Sequence, residues 1–228
     1  MPVRKVPMHV MDVIDELEVF DDVEPRSAAM NMAIDEALLQ TASRPTLRFY
    51  RWARPALSFG YFGSFSDVAD EESDRELVRR WTGGGIVLHG QDVTYSVILP
   101  HAASRPAPPR VIYSQIHGAI RAALPRHMDA ALATHAAPKI SEACFGNAVE
   151  ADVLVDGRKI AGAAQRRTRA GLLHQGSIQH ALPPDFRDTF AAALCASLRH
   201  ASFHDELLQK AQGIAERKYA TAEWLRRR

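Results

Sequence analysis

The chain has 228 residues, with 28 Lys and Arg against 27 Asp and Glu and a net charge of +1. That length is enough for one domain with a sizeable core, and the balanced charge excludes a whole-chain electrostatic case for nucleic acid. There is no apolar run of about 18 residues, which excludes a membrane-spanning helix. The stretch MPVRKVPMHVMDVIDELEVF lacks an apolar signal region, with acidic residues entering at Asp12. Cys144 and Cys195 lie far apart and form neither a metal pattern nor a disulfide framework. A reducing, cytoplasmic setting is expected.

In chain order, SAAMNMAIDEALLQ (27–40) reads as an amphipathic helix capped by Ser27, with Met30, Ala33, Ile34, Ala37 and Leu38 on one face. TLRFYRW (46–52) alternates as a strand, and ALSFGYFGS (56–64) as a second one interrupted by Gly60. Residues 67–79 read as a helix ending at Arg79 and Arg80, followed by three glycines and the strand VTYSVIL (93–99). HAASRPAPPR (101–110) is a proline-rich loop, and 111–124 return to helical spacing. Residues 133–143 read as loop. Asp156-Gly157 then predicts a hairpin between VEADVLV and RKIAGAAQRR, and a second hairpin leads across Thr168–Gly171 into GLLHQGSIQH. After Pro183-Pro184 the chain reads as helix over 185–199 and 203–226. The expectation is an α+β fold of mixed or antiparallel sheets flanked by helices. It occupies residues 1–228 as a single catalytic domain, with 185–228 as its helical C-terminal extension.

Gly83-Gly84-Gly85 stands between a charged segment and a strand. Three ordered glycines carry a large entropy cost, which fits a ligand that needs the backbone close. Neither a P-loop nor a dinucleotide fingerprint matches. Lys159 is followed by small residues; on a regular strand it shares a face with Ala161 and Ala163. Cys144 would need a nearby cation to act as a nucleophile, and Lys159 lies just across the hairpin. Cys195, among Ala and Leu, reads as core. His89 and His174 sit in strand-like runs without a partner at metal-ligand spacing, which excludes a zinc site. The terminal arginines read as a solvated tail.

NMAIDEALL, LRFYRWARPALSFGYFGS, RRWTGGGIVLH, DVTYSVI, GRKIAGAAQRR, LLHQGSI and KYATAEW occur in this order over most of the chain. Together they resemble the lipoate/octanoate protein ligase and transferase family, relatives of the biotin protein ligases. The resemblance implies an acyl tunnel lined by the Arg79–Gly85 segment, with Lys159 at the carbonyl end. It points to Arg79, Arg80, Thr82, Gly83, Gly84, Gly85, His89, Gly162, Ala163, Gln165, His174 and Gly176 as substrate-binding residues.

Two chemistries occur in such a family. A transferase moves octanoyl from acyl carrier protein to a lysine of a lipoyl-domain protein through a cysteine thioester and needs no cofactor. Cys144-Phe145 and KYATAEW match that branch, making Cys144 and Lys159 the catalytic pair. A lipoate-protein ligase instead forms an acyl adenylate from ATP with magnesium. The third glycine, Gly85, and Asp152 as an acidic residue before the Gly-Arg-Lys turn match that branch. A non-catalytic relative that binds acyl groups or lipoyl proteins is a third alternative. Acceptors would be 2-oxoacid dehydrogenase subunits or a glycine cleavage carrier protein, and a monomer is the expected state. In the transferase mechanism, amides near Gly83–Gly85 or Gly162–Ala163 stabilise the oxyanion, while His89 and His174 act as wall or orienting groups.

Overall fold

The computed structural model describes residues 14–104, 107–136 and 146–227. Its elements are β1 (Leu17–Arg26), α1 (Ala28–Thr41), β2 (Thr46–Trp52), β3 (Ala56–Phe59), β4 (Glu76–Arg79), β5 (Val87–His89), β6 (Val93–Pro100), α2 (Pro109–Ala123), β7 (Ala130–Leu132), β8 (Val153–Val155), β9 (Arg158–Arg167), β10 (Gly171–Ile178), α3 (Phe186–Leu194), β11 (Leu198–His200), α4 (Asp205–Ile214) and α5 (Ala222–Arg226). Eight strands form a mixed sheet in the order β11-β1-β2-β6-β10-β9-β8-β7, and β4-β3-β5 form a small second sheet. The expected α+β arrangement is what the chain adopts. Among the described residues no helix is long and apolar enough to cross a membrane.

The large sheet is covered on both faces. Leu47, Phe49, Tyr95, Val97 and Leu99 pack with Ile112 and Ile116 of α2 and Phe190 of α3. Tyr50, Ile98 and Leu173 pack with Ala33 and Ile34 of α1 and Leu207 of α4. A strand covered on both sides cannot show a clean alternation, so even Arg48 of β2 is fully buried. Its guanidinium donates to Asp35 Oδ1 and Asp22 Oδ2, each at 2.8 Å, and to Asn31 Oδ1 at 2.8 Å. Asp35 also accepts from Ser96 and Gln175, each at 2.8 Å. This hydrogen-bonded network fixes α1 against β2, β6 and β10, and every donor in it that is lost would strand a buried charge.

Ser27 caps α1 as expected, its Oγ accepting from Met30 N at 3.2 Å. Both predicted hairpins form, and Asp156 and Gly157 take φ of +49° and +73° in the first turn. Four expectations are corrected. Residues 67–79 are short 3-10 turns followed by β4, which pairs parallel with β3. The charged tract DEESDRE mimics a helical surface, but Val68, Leu77 and Val78 are too sparse to build an apolar stripe. Pro109 and Arg110, placed in the loop, open α2, where proline at the first position loses no hydrogen bond. Residues 185–199 are a helix only to Leu194; Leu198–His200 add β11 beside β1. The 203–226 helix is broken by a π turn at Ala215–Tyr219 and by the Thr221 cap of α5. Strand β1 had no counterpart in the sequence reading, because its Asp21-Asp22 pair disfavours a strand locally and Arg48 and Arg26 stabilise Asp22 only in the fold.

Candidate functional site

A narrow cavity lies between the α1 side of the large sheet and the small sheet. Met32, Tyr50, Trp52 and Val87 give it apolar walls, and the backbone of Gly162–Ala164, Gly176 and Gly84 closes in between them. The approach of these segments is possible because key positions lack side chains. A Cβ on Gly60 would stand 2.1 Å from Gly84 O, and one on Gly176 would stand 2.3 Å from the Tyr95 ring. Gly84 itself has φ +86°, a conformation glycine adopts at little cost.

Arg80 clamps the glycine segment. Its Nη2 donates to Gly83 O at 3.1 Å and Gly85 O at 2.7 Å, and its Nη1 donates to Ser58 Oγ at 2.6 Å. Ser58 also lies 2.7 Å from His89 Nε2, and His89 Nδ1 lies 2.8 Å from Asp92 Oδ2. The His89 ring is stacked on Trp52 with centroids 4.1 Å apart. Burial pushes the His89 pKa down further than Asp92 restores it, and Arg80 adds to the fall. A neutral imidazole then donates from Nδ1 to Asp92 and accepts from Ser58 at Nε2. Burial raises the Asp92 pKa, but hydrogen bonds from His89, Ser177 and Gly90 outweigh it and hold the carboxyl below its usual range. Asp92 thereby anchors one wall of the cavity as a fixed anion.

Behind Gly162 lies the second half of the site. Lys159 Nζ is ion-paired with Asp152 Oδ2 at 2.8 Å and donates to Asn147 O at 3.2 Å. Asp152, fully buried, also accepts from Tyr113 Oη at 2.6 Å and Val149 N at 2.7 Å. Tyr113 Oη in turn accepts from Ala163 N at 3.1 Å. The expectation that Lys159 shares a face with Ala161 and Ala163 is corrected. The β8–β9 register slips between Val153 and Leu154, so one residue of β9 is extra and the alternation shifts by one. Ile160 and Ala161 both enter the core, and the Lys159 stem lies on Gly162, whose added Cβ would stand 2.6 Å from Lys159 Cε.

The other expected residues fall around these two centres. Thr82 donates to Gln175 Oε1 at 2.8 Å, and Gln175 lines the cavity. His174 is bonded at Nδ1 to Gln165 Nε2 and at Nε2 to Tyr95 Oη, each at 3.1 Å. Arg79 faces away from the cavity and donates to the carbonyls of Tyr61, Gly63, Leu225 and Arg227. Cys144 lies outside the described residues. Among the described residues no group of three His, Cys, Asp or Glu is placed to hold a metal ion. The sequence reading did not single out Tyr113, Ser58, Trp52, Asp92 or Gln175 as site residues, since each has an ordinary local context. Trp52 and Ser58 did fall inside the long motif run at 47–64.

Two buried histidines give the site a pH signature. His117 packs tilted against Tyr113 with centroids 4.1 Å apart and donates from Nδ1 to Ala151 O at 2.7 Å, leaving Nε2 without a partner. Burial pushes its pKa down to about 4, against opposing pulls from Asp152 and Ala151. Burial, and then His117, also pushes His174 down. Between the unfolded and folded pKa values the unfolded chain binds more protons, so stability is lost as the pH is lowered. For His117 alone the loss runs from about pH 6.5 to about pH 4 and totals about 3 kcal/mol. Urea unfolding at pH 7 and pH 4.5 should show a clearly smaller difference in His117→Gln than in the parent. An unchanged difference would mean that His117 is protonated in the native state.

A family model described as the lipoyl protein ligase A/B catalytic domain matches residues 27–202. The chain belongs to this family. An octanoyltransferase LipM of Oceanobacillus iheyensis is 37% identical over 68% of this chain and 60% of its own length. One of Brevibacillus brevis is 31% identical over 90% of this chain and 97% of its own. The family match and these names agree with the lipoate/octanoate protein ligase and transferase family expected from the sequence. Among solved structures, a lipoate protein ligase of T. acidophilum with bound lipoic acid superposes with a TM-score of 0.73 at 20% identity, covering 92% of this chain and 98% of that one. A lipoate-protein ligase A bound with ATP superposes at 0.70 and 21%, with the same coverage. At that identity the likeness shows a shared fold, that of the ligase A/B catalytic domains.

Proposed function

We propose that this chain moves an octanoyl group from the thioester of acyl carrier protein to a lysine of a lipoyl-domain protein, with Cys144 as the transient acyl carrier. The observation that carries this reading is the narrow apolar cavity whose Gly162 wall is backed by the ion-paired Lys159. An apolar slot with a few convergent polar groups suits a medium-length acyl chain bearing one carbonyl. The octanoyltransferase names of the relatives support the donor chemistry. A solved bipartite ligase of the same fold, described together with its E2 lipoyl domain, supports a lipoyl domain as the acceptor.

In this reading the Cys144 thiolate attacks the thioester carbonyl, the carrier thiolate leaves and takes up a proton, and octanoyl-Cys144 forms. The acceptor amine then attacks this second thioester, an amide forms, and the Cys144 thiol is regenerated. The Lys159 ammonium favours the thiolate; it is held by Asp152 and by the carbonyl of Asn147, three residues past Cys144. Ala163 N is an oxyanion donor once Tyr113 Oη yields it. Arg80, Ser58 and His89 hold the glycine segment along the acyl chain. No cofactor takes part.

Intact-protein mass spectrometry after mixing with octanoyl-acyl carrier protein, without ATP, tests the reading. The expected result is a hydroxylamine-labile octanoyl adduct that Cys144→Ala lacks. Lipoyl transfer seen only with lipoate, ATP and magnesium, and no adduct, would assign the site to a ligase centred on Lys159 and Asp152. The shared fold with an ATP-bound ligase A is the observation that favours this second reading.

A further inference from the structure

Beside the cavity, three cations and three aromatic rings form a closed cluster. Arg166 Cζ lies 4.6 Å from the Trp81 ring centroid and 5.0 Å from that of Tyr61. Arg227 Cζ lies 4.5 Å from Tyr61 and 4.9 Å from Trp224. Lys218 Nζ lies 4.4 Å from Trp224 and 4.2 Å from Trp81. Each ring is therefore shared by two cations. The faces of the rings attract positive charge, which offsets the repulsion among the three.

The charge is not balanced within the fold. Glu36 Oε2 pairs with Lys218 at 2.6 Å and also accepts from Tyr219 Oη at 2.6 Å. Among the described residues neither Arg166 nor Arg227 has a carboxylate within 4.0 Å. Arg166 Nε is buried with no hydrogen-bond partner. Burial lowers the Lys218 pKa, and Arg166 and Arg227 lower it further while Glu36 opposes them. Glu223 and Arg217 rim the cleft beside Lys218 and Arg227. Arg166 donates from Nη1 to Trp81 O at 3.3 Å, and Lys218 and Arg227 line the open cleft. Two guanidinium groups with no carboxylate partner suit an anion that offers several oxygens, as phosphate does.

The cluster also adjoins the acyl cavity along two elements. Trp81 directly follows Arg80, and Arg166 lies two residues beyond Ala164; both Arg80 and Ala164 line the cavity. The two elements meet where a Cβ on Gly84 would stand 3.3 Å from Ala164 Cβ.

We propose that Arg166, Arg227 and Lys218, framed by Tyr61, Trp81 and Trp224, bind the phosphate ester of the acyl donor. The inference rests on the acyl-transfer reading above and assigns the phosphate to the pantetheine arm that carries the thioester. A nucleotide phosphate is the other source of the same chemistry.

Tryptophan fluorescence of the full chain, with Trp81 and Trp224 as reporters, tests this without turnover. The probes are 4′-phosphopantetheine, pantetheine and ATP with magnesium. The parent should bind phosphopantetheine about tenfold or more tighter than pantetheine. Arg166→Gln and Arg227→Gln should bring that ratio close to one, and Arg166→Lys should keep part of it. ATP binding that depends on the same residues, with no preference between the two pantetheine probes, would support the phosphate site and assign it to a nucleotide. A parent indifferent to the phosphate of the pantetheine probes whose ATP binding does not depend on these residues, or variants that keep the parent's ratio, would overturn the proposal. Failure of the acyl-transfer reading is seen separately, as the absence of an octanoyl adduct by mass.

Discussion

Lys159→Met is expected to lower octanoyl transfer by about 100-fold or more, the range seen when a proton-transfer or charge-stabilising group is lost. It is also expected to destabilise the fold by about 3 kcal/mol, the lower end for a buried ion pair broken on one side. The lower end applies because the Asp152 carboxylate, fully buried, keeps hydrogen bonds from Tyr113 Oη and Val149 N when the ammonium is gone. The two effects separate in the double variant Lys159→Met with Asp152→Asn. The neutral amide removes the stranded charge and still accepts from Tyr113, but its NH2 cannot accept from Val149 N, so part of the stability should return. Transfer should stay low, because no cation stands beside Gly162. Urea unfolding and an octanoyl-transfer assay on both variants decide the matter. A double variant that regained activity along with stability would reduce Lys159 to a structural partner of Asp152.

Gly60→Ala, one residue past β3, should be a strongly damaging single methyl. The added Cβ would stand 2.1 Å from Gly84 O and 2.7 Å from Gly83 C, both backbone atoms. Backbone cannot rotate aside, so the glycine segment must move by an ångström or more. That movement breaks the Arg80 bonds to Gly83 O and Gly85 O and displaces Gly84 from the cavity wall. Overpacking of this kind costs about 1–3 kcal/mol, and an ångström of misplacement at a substrate wall lowers turnover by about 100-fold. Gly83→Ala is the internal comparison: an added Cβ there meets nothing within 4 Å, so stability should change by no more than about 0.5 kcal/mol. Equal stability for Gly60→Ala and the parent would show that the two loops are not in contact.

The glycine triplet illustrates how far local reading goes. The sequence raised the question of why three glycines stand before a strand, and the resemblance assigned them to an acyl wall. The structure adds a second partner, Gly60, in the loop just past β3 and more than twenty residues earlier. The same holds for Lys159. Its hairpin was legible because Asp-Gly between apolar runs is a turn with φ above zero at both residues. The side on which its amine emerges was not, because a single extra residue in β9 reverses the alternation and nothing local marks it.

By itself the sequence determined the Ser27-capped helix, both hairpins, the α+β class and the family, since these follow from short-range periodicity, turn chemistry and ordered motifs. Only the tertiary structure decided that Arg48 is a core residue, that 76–79 is a strand, and that Tyr113, Asp152 and Lys159 form one network. It also decided that Arg166, Lys218 and Arg227 share three rings. The reason is the same in each case: burying a charge or pairing a polar strand is unfavourable alone and becomes favourable only when distant segments supply the partner.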